Sequence, residues 1–200
     1  MTTSTTPAVP ASWRTPVVVI TAGCLIAILG FGVRAIFGFF LEPMTMANGW
    51  SRETFGLAMA IQNLLWGLGV PVAGALADKY GPLRVMVVGS VVYCLGIWGM
   101  AEAQSSMALY LFGGLLTGLG VAFTAFSIAM VAMARVVGPE RRSLALGLGT
   151  AAGSLGQVVF SPLGRYWIDA WGWQPALYVM AGIVLVIIPL AFALPNDNSA

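Results

Sequence analysis

Gly74-Ala75-Leu76-Ala77-Asp78-Lys79-Tyr80-Gly81-Pro82-Leu83-Arg84 is an island of charge and turn residues between two long apolar runs. Gly81-Pro82 breaks any helix there. Pro82 suits the first position of the next helix, because its fixed φ fits and its missing N–H is not needed. Asp78, Lys79 and Arg84 are too costly to sit unpaired in hydrocarbon. The stretch therefore reads as a tight hairpin between two membrane helices, placed at the water boundary. It is either a plain polar loop with a helix start or a patterned gate element, and the flanking chain has to decide.

The composition around the hairpin is that of a membrane protein. Of 200 residues, 8% are charged and 59% hydrophobic, and the mean hydropathy is +0.91. A soluble domain has about a quarter charged residues. Several separate windows exceed the ~18 apolar residues that cross a bilayer. Each should be a helix, because lipid cannot satisfy free backbone groups. The net charge of +2 gives no argument for nucleic acid. There is no histidine, and Cys24 and Cys94 lie far apart inside apolar runs, so they read as small core residues. No metal-ligand cluster and no nucleophile–base spacing supports an enzyme.

Six spans follow, at about 16–41, 54–77, 83–101, 107–134, 144–166 and 175–194. Residues 1–15 read as a disordered cytoplasmic tail, and 195–200 as the start of a central cytoplasmic loop or a C-terminal tail. Arg14, Lys79, Arg84, Arg135, Arg141 and Arg142 fall on one side, against Arg52 and Arg165 on the other. That bias places both termini in the cytoplasm. Trp50, Trp98, Trp167, Trp171 and Trp173 then form an aromatic belt at the outer interface. Gly74-x3-Asp78-x2-Gly81 after the second span is echoed by Gly164-x4-Asp169-x2-Gly172 after the fifth. The two face opposite sides of the membrane, the arrangement of two inverted three-helix repeats.

Polar residues within the spans are unevenly spread. The third and sixth spans have almost none, so they are expected to face lipid on most sides. In the fifth, Thr150, Ser154, Gln157 and Ser161 form one stripe. The fourth carries Thr117, Thr124 and Ser127, and the second Gln62 and Asn63, with Trp66 one turn on from Gln62. Such residues either pack helices together or line a water-filled path. Arg34 is the one formal charge well inside a span. It lies roughly 27 Å along its helix at 1.5 Å per residue, in the outer third of the core. It either snorkels outward or pairs with Glu42, or it is a fixed cation facing an anionic substrate. Arg34, Gln62, Asn63, Trp66, Thr124 and Gln157 are the candidates for a substrate path. No carboxylate lies deep in a span, so no carboxylate proton relay is expected in this chain.

These residues resemble the major facilitator superfamily, over nearly the whole chain from Pro16 to Leu194, as its N-terminal six-helix half. Gly74, Leu76, Ala77, Asp78, Lys79, Gly81 and Arg84 look like the superfamily's motif between spans 2 and 3, with Pro82 where a basic residue is common. Asn48-Gly49-Trp50-Ser51-Arg52, Gly81-Pro82-Leu83-Arg84 and Pro139-Glu140-Arg141-Arg142 resemble bacterial members of the monocarboxylate and oxalate–formate transporter branch. Gly172-Trp173-Gln174 is similar to a GWR element widespread in the superfamily. Two patterns are missing. Thr117-Gly118 stands where many proton-coupled members carry a Q-G pair, and Gly114 where they carry arginine. Gly149-x3-Gly153 is followed by Ser154 rather than the proline of drug antiporters.

The resemblance implies a secondary transporter half working by alternating access, for a small organic anion such as a monocarboxylate. It implies no cofactor, with coupling to protons or a counter-anion. Its partners would be the lipid bilayer and a second six-helix half or another copy of the chain, in a bacterial cytoplasmic (inner) membrane. Gly74, Asp78, Lys79, Gly81 and Arg84 would form a gating loop. Gly81 would turn the chain, Lys79 and Arg84 would chiefly fix topology, and Asp78 would help latch the two halves in the outward-facing state. The alternative is a non-transporting membrane scaffold or a homodimeric half-transporter.

Overall fold

The computed structural model describes residues 13–195, so the readings of residues 1–12 and 196–200 lie outside the described residues. Six helical spans follow one another: Pro16–Asn48, Arg52–Tyr80, Pro82–Glu102, Ser106–Val136, Pro139–Trp171 and Trp173–Ala191, spans 1 to 6 below. Each is long and apolar enough to cross a membrane. Several run past the apolar windows because local caps extend them. The Thr15 hydroxyl accepts from the Val18 N–H, and Pro16 opens span 1. Span 1 tightens to a 3₁₀ turn at Phe37–Phe40, then continues as Leu41–Asn48. Gly49 ends it in the left-handed conformation (φ 67°), and the Trp50 N–H returns to the Thr45 carbonyl at 3.0 Å. Ser51 then caps span 2 by accepting from the Thr54 N–H at 3.2 Å.

The turns after spans 2 and 5 are built alike. Gly81 has φ 90° and ψ 148°, and Gly172 has φ 91° and ψ 168°. That region is essentially glycine-only. Each glycine N–H closes the preceding helix at 2.9 Å, onto the Ala77 and Ile168 carbonyls respectively. Each helix also carries an internal proline seven residues before its aspartate: Pro71 before Asp78, and Pro162 before Asp169.

The packing follows the same exchange of spans 1, 2 and 3 with 4, 5 and 6. Span 1 lies along span 5 and span 2 along span 4, span 3 packs on spans 4 and 6, and span 6 touches span 1. Glycines permit close approaches at both of these long crossings. A Cβ on Gly118 of span 4 would meet the Gln62 carbonyl of span 2 at 2.7 Å, and one on Gly156 of span 5 would meet Ile28 Cα of span 1 at 2.7 Å. Gly114 lies in the same crossing, where a Cβ would meet Ile61 Cγ2 at 2.9 Å. The position where the family often has arginine therefore leaves no room for a side chain.

Two apolar clusters stack along the bundle. One is built on Phe40, Met44, Ile97, Met100, Leu177 and Met180. The other is built on Val19, Ile26, Met86, Ala129, Met133 and Ile187. Span 3 corrects an expectation here. It was expected to face lipid, yet half of its apolar window is buried, against 22% for span 2 and 28% for span 5. Lipid tails are as apolar as a protein core, so an apolar helix does not reveal which of the two it faces. Spans 2 and 5 are the least covered, with Leu64, Leu68, Leu148 and Leu155 among their exposed side chains.

Candidate functional site

Arg34 is half-buried and turns away from Glu42. Its Nη2 donates to Asn63 Oδ1 on span 2, and its guanidinium lies over the Trp66 ring, 4.0 Å from the centroid. Asn63 in turn donates through Nδ2 to the Met59 carbonyl at 2.8 Å. Both groups of the Asn63 amide are thus engaged, one holding the cation and one holding the asparagine. A cation over an indole face gains electrostatic attraction from the ring. The Arg34 guanidinium is thus braced by span 2, through Asn63 and Trp66.

That cation sits on the wall of a cavity of about 290 Å³, which Arg34, Trp66, Tyr93, Thr124 and Ser127 share with apolar neighbours. Spans 1 to 4 all contribute. Span 4 is interrupted here. Its first part widens into π-helical turns at Tyr110–Leu116 and continues as Thr117–Phe123; a second helix, Phe126–Val136, follows. Between them Ala125 is extended (φ −57°, ψ 137°). Thr124 Oγ1 donates to the Gly120 carbonyl at 2.8 Å, so the hydroxyl read as a path candidate spends its proton on its own helix.

Gln62 lies apart from this cavity. It is buried, and its Nε2 donates to the Gly113 carbonyl at 3.0 Å. The π turns shift the carbonyl register of span 4, and Gln62 satisfies one acceptor while the Thr117 hydroxyl satisfies Phe112 at 2.7 Å. Gln62 is therefore placed as a clamp between spans 2 and 4. Nothing in its local sequence marks the π segment that needs it. Gln157 lies in a neighbouring pocket with Thr150, Gly153 and Ser154. Phe31, Phe126 and Met130 line both spaces and so form the partition between them. The Phe31 and Phe126 rings meet edge to face, with centroids 6.4 Å apart.

A third pocket, of about 210 Å³, opens beside the turn between spans 2 and 3. Gly74, Asp78 and Pro82 face Arg135 across it, and Asp78 Oδ1 lies 3.7 Å from Arg135 Nη2. Arg135 had been read only as a topology signal. Val70 and Ser127 line this pocket and the central cavity alike, so the two adjoin. Lys79 lies over the Tyr80 ring. At the opposite end, Gln174 donates to the Ala101 carbonyl at 3.2 Å, and the Tyr178 hydroxyl donates to Glu102. The glutamine of the Gly172-Trp173-Gln174 element thus ties span 6 to the end of span 3. The residue that sequence reasoning missed is Tyr93 of span 3, fully buried and on the wall of the central cavity.

A six-span helical bundle around a largely apolar cavity that holds a few polar side chains and one cation is the architecture of a multi-pass membrane transporter unit. Residues 13–200 match the family model of the Major Facilitator Superfamily, and the chain belongs to that superfamily. Monocarboxylate transporter 13 of Bos taurus is 31% identical over 160 residues, which is 80% of this chain and 37% of that protein. Monocarboxylate transporter 4 of Mus musculus is 30% identical over 166 residues, 82% of this chain and 34% of that protein. The inward-open xylose transporter XylE of E. coli superposes with a TM-score of 0.76 at 13% identity, over 91% of this chain and 49% of that one. The relatives are transporters rather than enzymes. The chain spans about a third of the length of the curated relatives it matches and about half of the solved structure.

Proposed function

We propose that this chain forms the N-terminal half of a secondary transporter for small organic anions, monocarboxylates being the favoured class. The observation that carries the reading is Arg34, a cation held at the cavity wall by Asn63 and Trp66 with no ion-pair partner among the described residues. A fixed positive charge in a low-dielectric cavity favours a ligand that supplies the missing negative charge. The relatives named as monocarboxylate transporters support the same class. The uncovered faces of spans 2 and 5 would pack on a second six-helix half or another copy of the chain. Alternating access would then open the cavity to each side in turn, coupled to a proton or a counter-anion. The bias of basic residues supports cytoplasmic termini, and the branch resemblance supports a bacterial cytoplasmic membrane.

The test is uptake by the natural full-length protein in proteoliposomes, against a panel of acetate, L-lactate, pyruvate and benzoate with neutral and cationic solutes beside them. Transport of at least one carboxylate is expected, and Arg34→Gln should reduce it more than tenfold at unchanged protein yield. Movement of a neutral or cationic solute with none of the carboxylates sinks the proposal. No transport of any solute by a folded protein favours the scaffold reading.

A further inference from the structure

The central cavity sets several hydrogen-bonding groups, Tyr93 and Ser127 among them, on one wall with the Arg34 guanidinium. Asn63 Oδ1 accepts from Arg34, and two carbonyls at the end of the first part of span 4 are bonded within that helix. The Thr124 N–H reaches the Gly120 carbonyl at 3.0 Å, and the Ala125 N–H reaches Ala122 at 3.3 Å. The other side of the break is different. The helix Phe126–Val136 begins at the cavity wall, and no side chain caps it. The first N–H groups of a helix have no intrahelical partner, and they carry the positive end of its dipole.

The second observation is independent of the helix. Tyr93 is 0% exposed, and its hydroxyl has no hydrogen-bond partner among the described residues. Tyr93 comes from span 3, on the same cavity wall as Arg34 and Phe126. A buried hydroxyl left unbonded is costly, and a phenol in that position normally finds a partner. Phenylalanine would fill the same space without the cost.

We infer that Tyr93 and the open N-terminus of the second helix of span 4 form the neutral half of a carboxylate subsite whose cationic half is Arg34. The Tyr93 hydroxyl donates to the carboxylate, as do the amides of Phe126 and Ser127, and the guanidinium balances its charge. The break in span 4 then has a purpose: it turns backbone amides into ligand donors within the membrane. This subsite rests on the organic-anion reading above.

Equilibrium binding of the same four carboxylates to the purified full-length protein tests it, with lactamide as the uncharged control. The tightest binder is carried into two variants. Tyr93→Phe should weaken it about ten- to a hundredfold, the usual range for a hydrogen bond to a charged group. The melting temperature should stay level or rise, since no protein contact is lost. Ala125→Asp places a carboxylate at an N-cap position whose backbone already suits it. It should keep the fold and weaken binding at least tenfold, because its own oxygen occupies the amides. Binding by Tyr93→Phe within twofold of wild type overturns the role of Tyr93. Unchanged binding by Ala125→Asp overturns the role of the amides. In either case loss of binding in Arg34→Gln would leave the organic-anion reading standing. A wild-type protein that binds none of the four carboxylates overturns both.

Discussion

Gly81 and Gly172 close the turns after spans 2 and 5 with nearly the same dihedral angles, yet the aspartates three residues before them are paired differently. Asp78 reaches across to Arg135 on span 4, whereas Asp169 bonds to Arg165 on its own helix at 3.2 Å. The repeat therefore fixes the backbone at both ends of the bundle but does not fix the charges. A pair between two helices changes when those helices move against each other. A pair within one helix does not. Every member of the two pairs is at least half exposed, at 50% and 74% for Arg135 and Asp78 and 64% and 60% for Arg165 and Asp169, so neither pair contributes much to stability. What separates them is the movement each can report.

The largest effect is expected where the two ends agree. Alanine cannot adopt the glycine backbone at either turn without strain of about 1–3 kcal/mol. Gly81→Ala and Gly172→Ala should therefore lower the melting temperature of the purified protein by similar amounts. A loss at one turn and none at the other would show that the two are not equivalent in the folded protein, and the repeat would then be a likeness of sequence only.

Next comes the aspartate that crosses between helices. Asp78→Asn in the full-length transporter should slow turnover about tenfold, a change of ~1.4 kcal/mol in the rate-limiting barrier. Substrate affinity should change little, since the pocket at Asp78 only adjoins the central cavity. Counterflow and equilibrium binding measured side by side separate the two. Equal turnover with altered affinity would place Asp78 in the substrate site rather than at a gate.

The contrast between the two turns also shows what the sequence could carry. Six apolar windows, an island of charge and an Asp-x2-Gly echo were legible, because each is a property of one helix or one turn. The proline that precedes each aspartate by seven residues is equally legible and strengthens the echo. Arg34 was legible as a charge out of place, whereas its partner was not. Glu42 stands near it in sequence and Asn63 twenty-nine residues away, and only the three-dimensional arrangement, in which the long Arg34 side chain reaches span 2, decides between them. Tyr93 was hidden for a related reason. One tyrosine in an apolar helix looks like a lipid-facing exception until that helix proves to be core. The interruption of span 4 left no trace either, since Thr124-Ala125-Phe126 contains neither glycine nor proline. Gln62 was overread, because burial cost alone does not distinguish a cavity from a waiting carbonyl.

The smallest effect belongs to Asp169. An exposed pair four residues apart on one helix contributes about 0.3–0.5 kcal/mol, and salt screens it further. Asp169→Asn should therefore shift the melting temperature barely, and less at high salt than at low. Turnover should stay within twofold of wild type, because Arg165 moves with Asp169 whatever the bundle does. A null result here is informative only beside the Asp78→Asn measurement, since the two substitutions are chemically identical and sit at matching positions. If Asp169→Asn slows transport as much as Asp78→Asn does, the difference in pairing is not what matters. Each aspartate would then act through the helix N-terminus that follows its glycine, and the two ends of the bundle would be gated by the same device.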